Sequence, residues 1–147
     1  MMSLEMIIFF LIALMLFLMQ AIGGIFQISD YKKTIRRLHK LGNLGIGQKK
    51  GSLFNGYIVI IVCDKNQYIT ECEVLNGKTF LAKFHKQQTI DQFKIIGKHI
   101  IDLQAELRLA DEKGKKYKGY LQALDALISH FDCEFNQSKQ MLTEYQL

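Results

Sequence analysis

The chain has 147 residues, and its 19 Lys and Arg against 14 Asp and Glu give a formal net charge of +5. This length suits one compact domain, or a smaller one with an appendage, and excludes a large multidomain enzyme. Seven basic residues and one acidic residue fall within residues 30–50, so the whole basic surplus occupies one short stretch. Three cysteines without a Cys-x-x-Cys pair argue against a disulfide framework and indicate a cytosolic domain.

Residues 1–28 are predicted to form a transmembrane anchor. Met6 to Met19 is unbroken apolar sequence, and the apolar stretch continues to Phe26. As a helix, the segment from Met6 to Phe26 would be about 31 Å long, which matches the hydrocarbon core of a bilayer. A cleavable signal peptide is one alternative, because Ala21-Ile22-Gly23 is a small-x-small triplet. A buried core helix of a soluble protein is another. Basic residues directly after the span favour an uncleaved single-pass anchor in the cell membrane, with the N-terminus outside and the remaining chain cytoplasmic.

A separate basic helix is predicted over residues 29–42, with Ser29 or Asp30 as its N-cap and Gly42 at its end. Its apolar residues recur at spacings of three and four, and basic residues flank this stripe. The basic side chains are candidates for contact with anionic lipid head groups or with nucleic-acid phosphates, and their place beside the span favours lipid. They are Lys32, Lys33, Arg36, Arg37 and Lys40.

Residues 43–103 are predicted to form a small antiparallel sheet with meander topology. Gly45-x-Gly47 is too short to indicate a phosphate-binding loop, and we interpret this region as turns around a short strand. The β-branched run Tyr57–Cys63 is a buried strand, a turn at Lys65-Asn66 follows, and residues 67–75 form the next strand.

Asn76-Gly77 is the most specific hairpin signal in the chain. The pair predicts a type I′ turn, in which both central residues have positive φ, and residues 79–84 then form the returning strand. A further strand is expected around residues 95–101, where two Ile-Ile pairs bracket Gly97.

The C-terminal segment, residues 104–147, is predicted to be helical, which makes the fold class α+β. A short helix ends by Gly114, and a longer one carries an apolar stripe from Tyr117 onward. The stripe fits two interpretations: a face that packs on the sheet, or a surface for self-association or a protein partner. The candidate partner contacts are Tyr117, Leu121, Leu124 and Ile128.

Nothing in the sequence indicates catalysis. The four histidines are scattered without ligand spacing, so no metal, cofactor or catalytic residue is expected, and we predict that the chain is not an enzyme. Neither a helix-turn-helix nor a zinc finger is recognisable, which makes direct sequence-specific DNA binding the weaker of the possible regulatory roles.

Ordered glycines and apolar positions nevertheless form a recognisable series. The series comprises Gly-Gly-Ile-Phe-Gln-Ile-Ser at 23–29, Gly42-x-x-Gly45-Ile-Gly47, Gly51-x-Leu-Phe54, the strand 57–62 with Asp64, Leu75-x-Gly77-x-Thr79-Phe-x-Ala82, and His99-x-x-Asp102-Leu103. Over about residues 20–103 it resembles the glucitol (sorbitol) operon activator family, small proteins encoded with sugar-alcohol phosphotransferase genes. Residues 104–147 depart from the family pattern.

The resemblance implies a membrane-anchored accessory transcriptional activator of a sugar-alcohol uptake and phosphotransferase operon. The alternative is a membrane interaction module for the sugar transporter, with only an indirect effect on transcription. The expected partners are membrane lipid and a protein, either a transcription regulator or the transporter. Direct DNA contact and self-association stay open.

Overall fold

The computed structural model describes residues 1–51, 56–77 and 82–146, with residues 23–28 described by their backbone alone. The fold is α+β, as the sequence predicts: a long apolar N-terminal helix, an antiparallel sheet of four strands, and C-terminal helices. In chain order the elements are α1 (Leu4–His39), β1 (Asn43–Lys49), β2 (Tyr57–Cys63), β3 (Ile69–Asn76), β4 (His85–Lys86), β5 (Thr89–Ile90), β6 (Phe93–Lys94), α2 (Ile100–Ala110) and α3 (Lys118–Glu144).

Helix α1 runs without interruption for 36 residues. The prediction of a separate helix starting at Ser29 or Asp30 is therefore wrong. A capping side chain matters only where backbone N–H groups lack helical partners, and the chain has no proline that would interrupt the hydrogen bonds here. The helix ends at His39, just before the predicted stop at Gly42.

The four-stranded sheet has the order β1-β2-β3-β4 with antiparallel pairing throughout. Strand β2 occupies the predicted residues and is covered on both faces. Val59 and Ile61 pack on the side of α2 and α3, whereas Ile60 and Val62 pack with Leu38 of α1. Because neither face meets water, the strand is apolar throughout instead of alternating.

The turn predicted at Lys65-Asn66 is present between β2 and β3. The Asp64 carboxylate accepts hydrogen bonds from the backbone N–H groups of Asn66 (2.9 Å) and Tyr68 (3.0 Å). Gln67 adopts a left-handed φ of 68°, and the β2–β3 register shifts at Val62/Cys63. A short aspartate-capped turn with one irregular residue therefore connects the strands.

The type I′ hairpin predicted at Asn76-Gly77 is wrong. Neither residue has positive φ, and the Gly77 N–H donates to the Gly56 carbonyl oxygen at 2.8 Å, on the side of β2. Gly77 thus continues the pairing of β3 with β2, and among the described residues the chain pairs with the other side of β3 where His85 meets Val74. Of the predicted returning strand, residues 79–81 lie outside the described residues and 82–84 are not in a strand.

The strand expected around residues 95–101 is reduced to one isolated antiparallel bridge, between His99 and Tyr68. β5 and β6 form a separate two-stranded hairpin before it, and Gly97, at φ 82°, turns the chain. The His99 Nδ1 atom then accepts a hydrogen bond from the Ile101 N–H at 3.3 Å and so caps the start of α2. A helix N-terminus thus replaces the second Ile-Ile strand.

Helix α3 packs its first half on β1 at very close range. A Cβ atom added at Gly45 would lie 2.2 Å from the Ala123 carbonyl oxygen, and one added at Gly47 would lie 1.7 Å from that of Gly119. The Gln122 side chain also accepts a hydrogen bond from the Gln48 N–H of the edge strand, at 3.1 Å. The Gly-x-Gly pair therefore permits a backbone-to-backbone helix contact.

Candidate functional site

The apolar part of α1 stands apart from the rest of the fold. Residues Leu4–Ile22 have a mean hydropathy of 2.4, and none of them is buried against the described part of the chain. By length and composition this segment can cross a membrane. The remainder of α1 carries the predicted basic side chains.

Four of those side chains share an outward face. Lys32, Lys33 and Arg36 are exposed on α1 and Lys40 is exposed at its C-cap, and within the described residues none of them forms an ion pair. We call these four residues the basic face. Their spacing places four positive charges on one side of a helix that leads directly out of the apolar segment.

Arg37 differs from the other predicted basic residues, because it points to the sheet. Its Nη2 atom lies 2.6 Å from the Oε1 atom of Glu73, whose side chain is only 2% exposed. Glu73 pairs with Ile60 in the sheet and faces α1. A buried carboxylate requires such a charged partner, so Arg37 attaches the helix to the domain.

Apolar contacts hold the same part of α1 in place. Leu38 is fully buried with Ile60 and Val62, and the ring of Tyr31 lies 6.0 Å from that of Phe84. Thr34, between them on the helix, is buried as well. The end of α1 is thus a layer of the domain as well as the continuation of the apolar segment.

The predicted partner stripe of α3 has a mixed environment. Tyr117 and Leu124 are buried in the main core with the sheet, so this chain's own fold already occupies those two side chains. Leu121 and Ile128 are half-buried at its margin. The first half of the stripe therefore packs on the sheet, which is one of the two interpretations the sequence allowed.

A polar network fixes the start of α3. The Tyr117 hydroxyl donates to the Asp91 carboxylate at 2.5 Å, and Lys116 lies 2.6 Å from the same carboxylate. These two donors lower the pKa of Asp91 below its usual value. The Tyr57 hydroxyl accepts from the Gly119 N–H at 3.2 Å, and Tyr120 donates to Gln87 at 3.0 Å. The network therefore supports the position of the start of α3.

The chemistry available to the core side chains is limited. Burial raises the pKa of the Cys63 thiol to about 11 and that of the Cys72 thiol to about 12, with nearby carboxylates adding to the effect. Neither is an available thiolate near pH 7. In residues 1–51, 56–77 and 82–146 no group of three or more His, Cys, Asp and Glu is placed to hold a metal ion.

Sequence reasoning missed Glu73. Glu71 and Glu73 alternate with Cys72 and Val74, a pattern typical of a strand with a solvated face. The uniformly apolar sequence of β2 was the signal that could have identified Glu73 as buried. A strand that is covered on both faces implies that the neighbouring strand, β3, is covered on both faces as well.

The chain is similar in sequence to one known family. The sequence model of the glucitol operon activator protein (GutM) matches residues 8–117, from within the apolar segment to the residue before α3. No curated protein and no solved structure matches the chain significantly. The matched region covers most of α1, all the strands and α2, so the chain belongs to the glucitol operon activator protein family.

Proposed function

We propose that the chain is a single-pass membrane protein that acts as an accessory activator of a glucitol (sorbitol) uptake and phosphotransferase operon. Its N-terminus lies outside and its domain in the cytoplasm, and it works through a protein partner instead of reading operator DNA. The family to which it belongs supports the activator role. The proposal gives the chain no catalytic activity, metal or cofactor.

The observation that carries the proposal is the continuity of α1. One helix contains both the apolar segment Leu4–Ile22 and Leu38, which is fully buried in the domain. If that segment crosses the bilayer, the domain is held next to the membrane without a flexible linker. An activator held there meets membrane-associated proteins more readily than a free one.

The basic face supports a lipid contact in preference to DNA. Lys32 follows Phe26, the end of the apolar sequence, by six residues, which is about 9 Å of helix and close to the head groups of a spanned bilayer. Each basic side chain at this level gains about 1 kcal/mol from anionic lipid. Basic residues beside a span also favour a cytoplasmic location for the domain.

The test changes all four residues of the basic face to Gln. A matched control removes the same charge from four exposed lysines outside α1: Lys50, Lys113, Lys115 and Lys118. We expect both variants to insert, to activate an operon reporter like the parent chain, and to show no difference in salt-dependent binding to operator DNA. The basic-face variant alone should lose the preference of the reconstituted chain for anionic over neutral lipid.

Direct DNA contact predicts a different result. Each phosphate contact contributes about −0.9 to the slope of log K against log salt, so four lost contacts would reduce it by about 3.6. A reduction of this size in the basic-face variant alone, together with lost activation, would contradict the proposal.

The alternative function is an interaction module for the sugar transporter, favoured by the same continuity of α1, because the transporter lies in that membrane. A strain without the operon's transporter genes separates the two. If the chain acts on a transcription regulator, its effect on the reporter persists in that strain. If it acts through the transporter, the effect disappears.

A further inference from the structure

The last part of α3 is a helix that the domain leaves uncovered. Every residue from Asp132 to Gln146 is exposed, whereas the first half of the helix packs on the sheet. Residues 132–144 form about 20 Å of helix. A solvated helix of this length has marginal stability in water, so its stability requires packing against another surface.

The aromatic and leucine side chains of this segment follow a heptad, and Met141 lies beside them at a g position. With Ile128 as position a, Phe135 and Leu142 are the next a positions, and Tyr145, the C-cap residue of α3, is at a d position. Phe135, Leu142 and Tyr145 are 70%, 68% and 89% exposed. The b, c and f positions from Ser129 to Glu144 are polar residues and Cys133. Apolar and polar residues are thus separated as in a coiled-coil helix, with Ser138 the only polar a or d residue.

The stripe continues one that the fold already uses. Leu121 and Leu124 occupy the preceding a and d positions, and they lie at the margin and in the interior of the main core. The same face therefore packs on the sheet first and then extends past it. We name this continuation, residues 128–145, the α3 seam; Ile128 and Phe131 at its start are half-buried, and its later apolar side chains are exposed.

We propose that the α3 seam binds the α3 seam of a second copy of this chain as a parallel two-stranded coiled coil. Glu134 is a g position and Lys139 is the following e position. In a parallel pair, g of one helix faces the following e of the other, so Glu134 meets Lys139 of the second copy. Two-fold symmetry forms this ion pair twice, and no other sequence is needed to complement the seam.

The charge of the segment disfavours a membrane surface as the occupant. Residues 132–146 contain Asp132, Glu134 and Glu144 against the single basic Lys139. Anionic head groups repel such a helix. The parallel orientation rests on the proposed anchor. Two copies anchored in one membrane are related by a two-fold axis along the membrane normal, and with this symmetry the two α3 helices run in the same direction along the normal.

The area to be gained is modest. Large apolar side chains bury about 150–250 Å² each, so the exposed parts of the seam residues amount to roughly 1,000 Å² over two copies, at the lower limit for a specific interface. Such a dimer is weak in dilute solution. Anchoring both copies in one membrane raises their effective concentration and favours the pair.

Cysteine cross-linking of the full chain in membranes tests the proposal. Cys133 is at an f position and exposed, so it is first changed to Ser. Phe135→Cys and Leu142→Cys then place a thiol in the seam, and Gln137→Cys and Gln140→Cys place one on the outer surface as matched controls. We expect oxidation to cross-link the seam variants at least about fivefold faster than the controls, since a positions face each other across a parallel pair whereas c and f positions point away from it.

Charge reversal in the Leu142→Cys background tests the register. Glu134→Lys should slow cross-linking several-fold, and Glu134→Lys with Lys139→Glu should restore it. Equal cross-linking at all four cysteine positions, no cross-linking at any, or no effect of the single reversal would overturn the proposal. Membrane fractionation of the same samples reports insertion separately, so loss of the anchor is distinguished from loss of the dimer.

Discussion

Replacing Arg37 by Met should destabilise the domain by about 2–3 kcal/mol, because it leaves the Glu73 carboxylate buried without a charged partner. The carboxylate is 2% exposed and lies 2.6 Å from the guanidinium. Removing one member of a fully buried pair typically costs 3–5 kcal/mol. The Arg37 side chain is 51% exposed, so water screens part of the interaction and the smaller value applies.

The adjacent Arg36→Met is the matched control, since Arg36 is exposed on the basic face and makes no ion pair among the described residues. We expect it to change the free energy of unfolding by less than about 0.5 kcal/mol. The double variant Arg37→Met with Glu73→Leu removes both charges and should recover most of the loss. Urea unfolding in detergent, followed by circular dichroism, measures the free energy of unfolding of the parent chain and of the three variants. Equal effects of the two arginine substitutions, or no recovery in the double variant, would refute the role of Arg37.

Three further predictions concern the domain. Gly47→Ala should lower the free energy of unfolding by about 3 kcal/mol or more. Its Cβ would lie 1.7 Å from the Gly119 carbonyl oxygen and must move at least 1.3 Å to reach a separation of 3.0 Å. In the control Gly77→Ala the nearest atom is at 3.1 Å, so urea unfolding should show a change of less than about 1 kcal/mol. Iodoacetamide at pH 8 should modify only the exposed Cys133 in the native chain, because Cys63 and Cys72 are buried and the pKa values of their thiols are raised. Mass spectrometry measures the modification, and fast modification of all three thiols would contradict the packing. The pKa of Asp91 is lower in the folded chain than its value of about 3.9 in the unfolded chain, so the ionised carboxylate stabilises the fold at pH values above about 3.9. The melting temperature of Asp91→Asn should therefore lie below that of the parent chain at pH 7 and approach it as the pH falls below about 4. A difference in melting temperature that is independent of pH would exclude the ion pair with Lys116.

The sequence predicts those elements that depend on local signals. Strand β2 is recognisable because a β-branched apolar run ends in Asp64, whose carboxylate then caps the turn. The long C-terminal helix is recognisable from spacings of three and four, and the membrane-length segment from its hydropathy.

The features that sequence reasoning missed depend on distant partners. Asn76-Gly77 would form a hairpin in isolation, but Gly77 pairs with Gly56, twenty-one residues earlier in the chain. Gly45 and Gly47 suggest turns until α3 is known to lie on them. In the sequence Arg37 is indistinguishable from its basic neighbours. Only the structure, in which one face of β3 is covered by α1, shows that Arg37 forms an ion pair with Glu73.

In the proposed function the chain activates the operon while anchored, with its domain held at the membrane by α1. The most direct measurement compares operon-reporter activity for three proteins: the parent chain, a variant in which residues 4–22 are replaced by an unrelated apolar span of equal length, and a variant lacking those residues. We expect full activation by the first two and loss of activation by the third, with all three chains present at equal levels. Full activation by the chain without a span would contradict the proposed function.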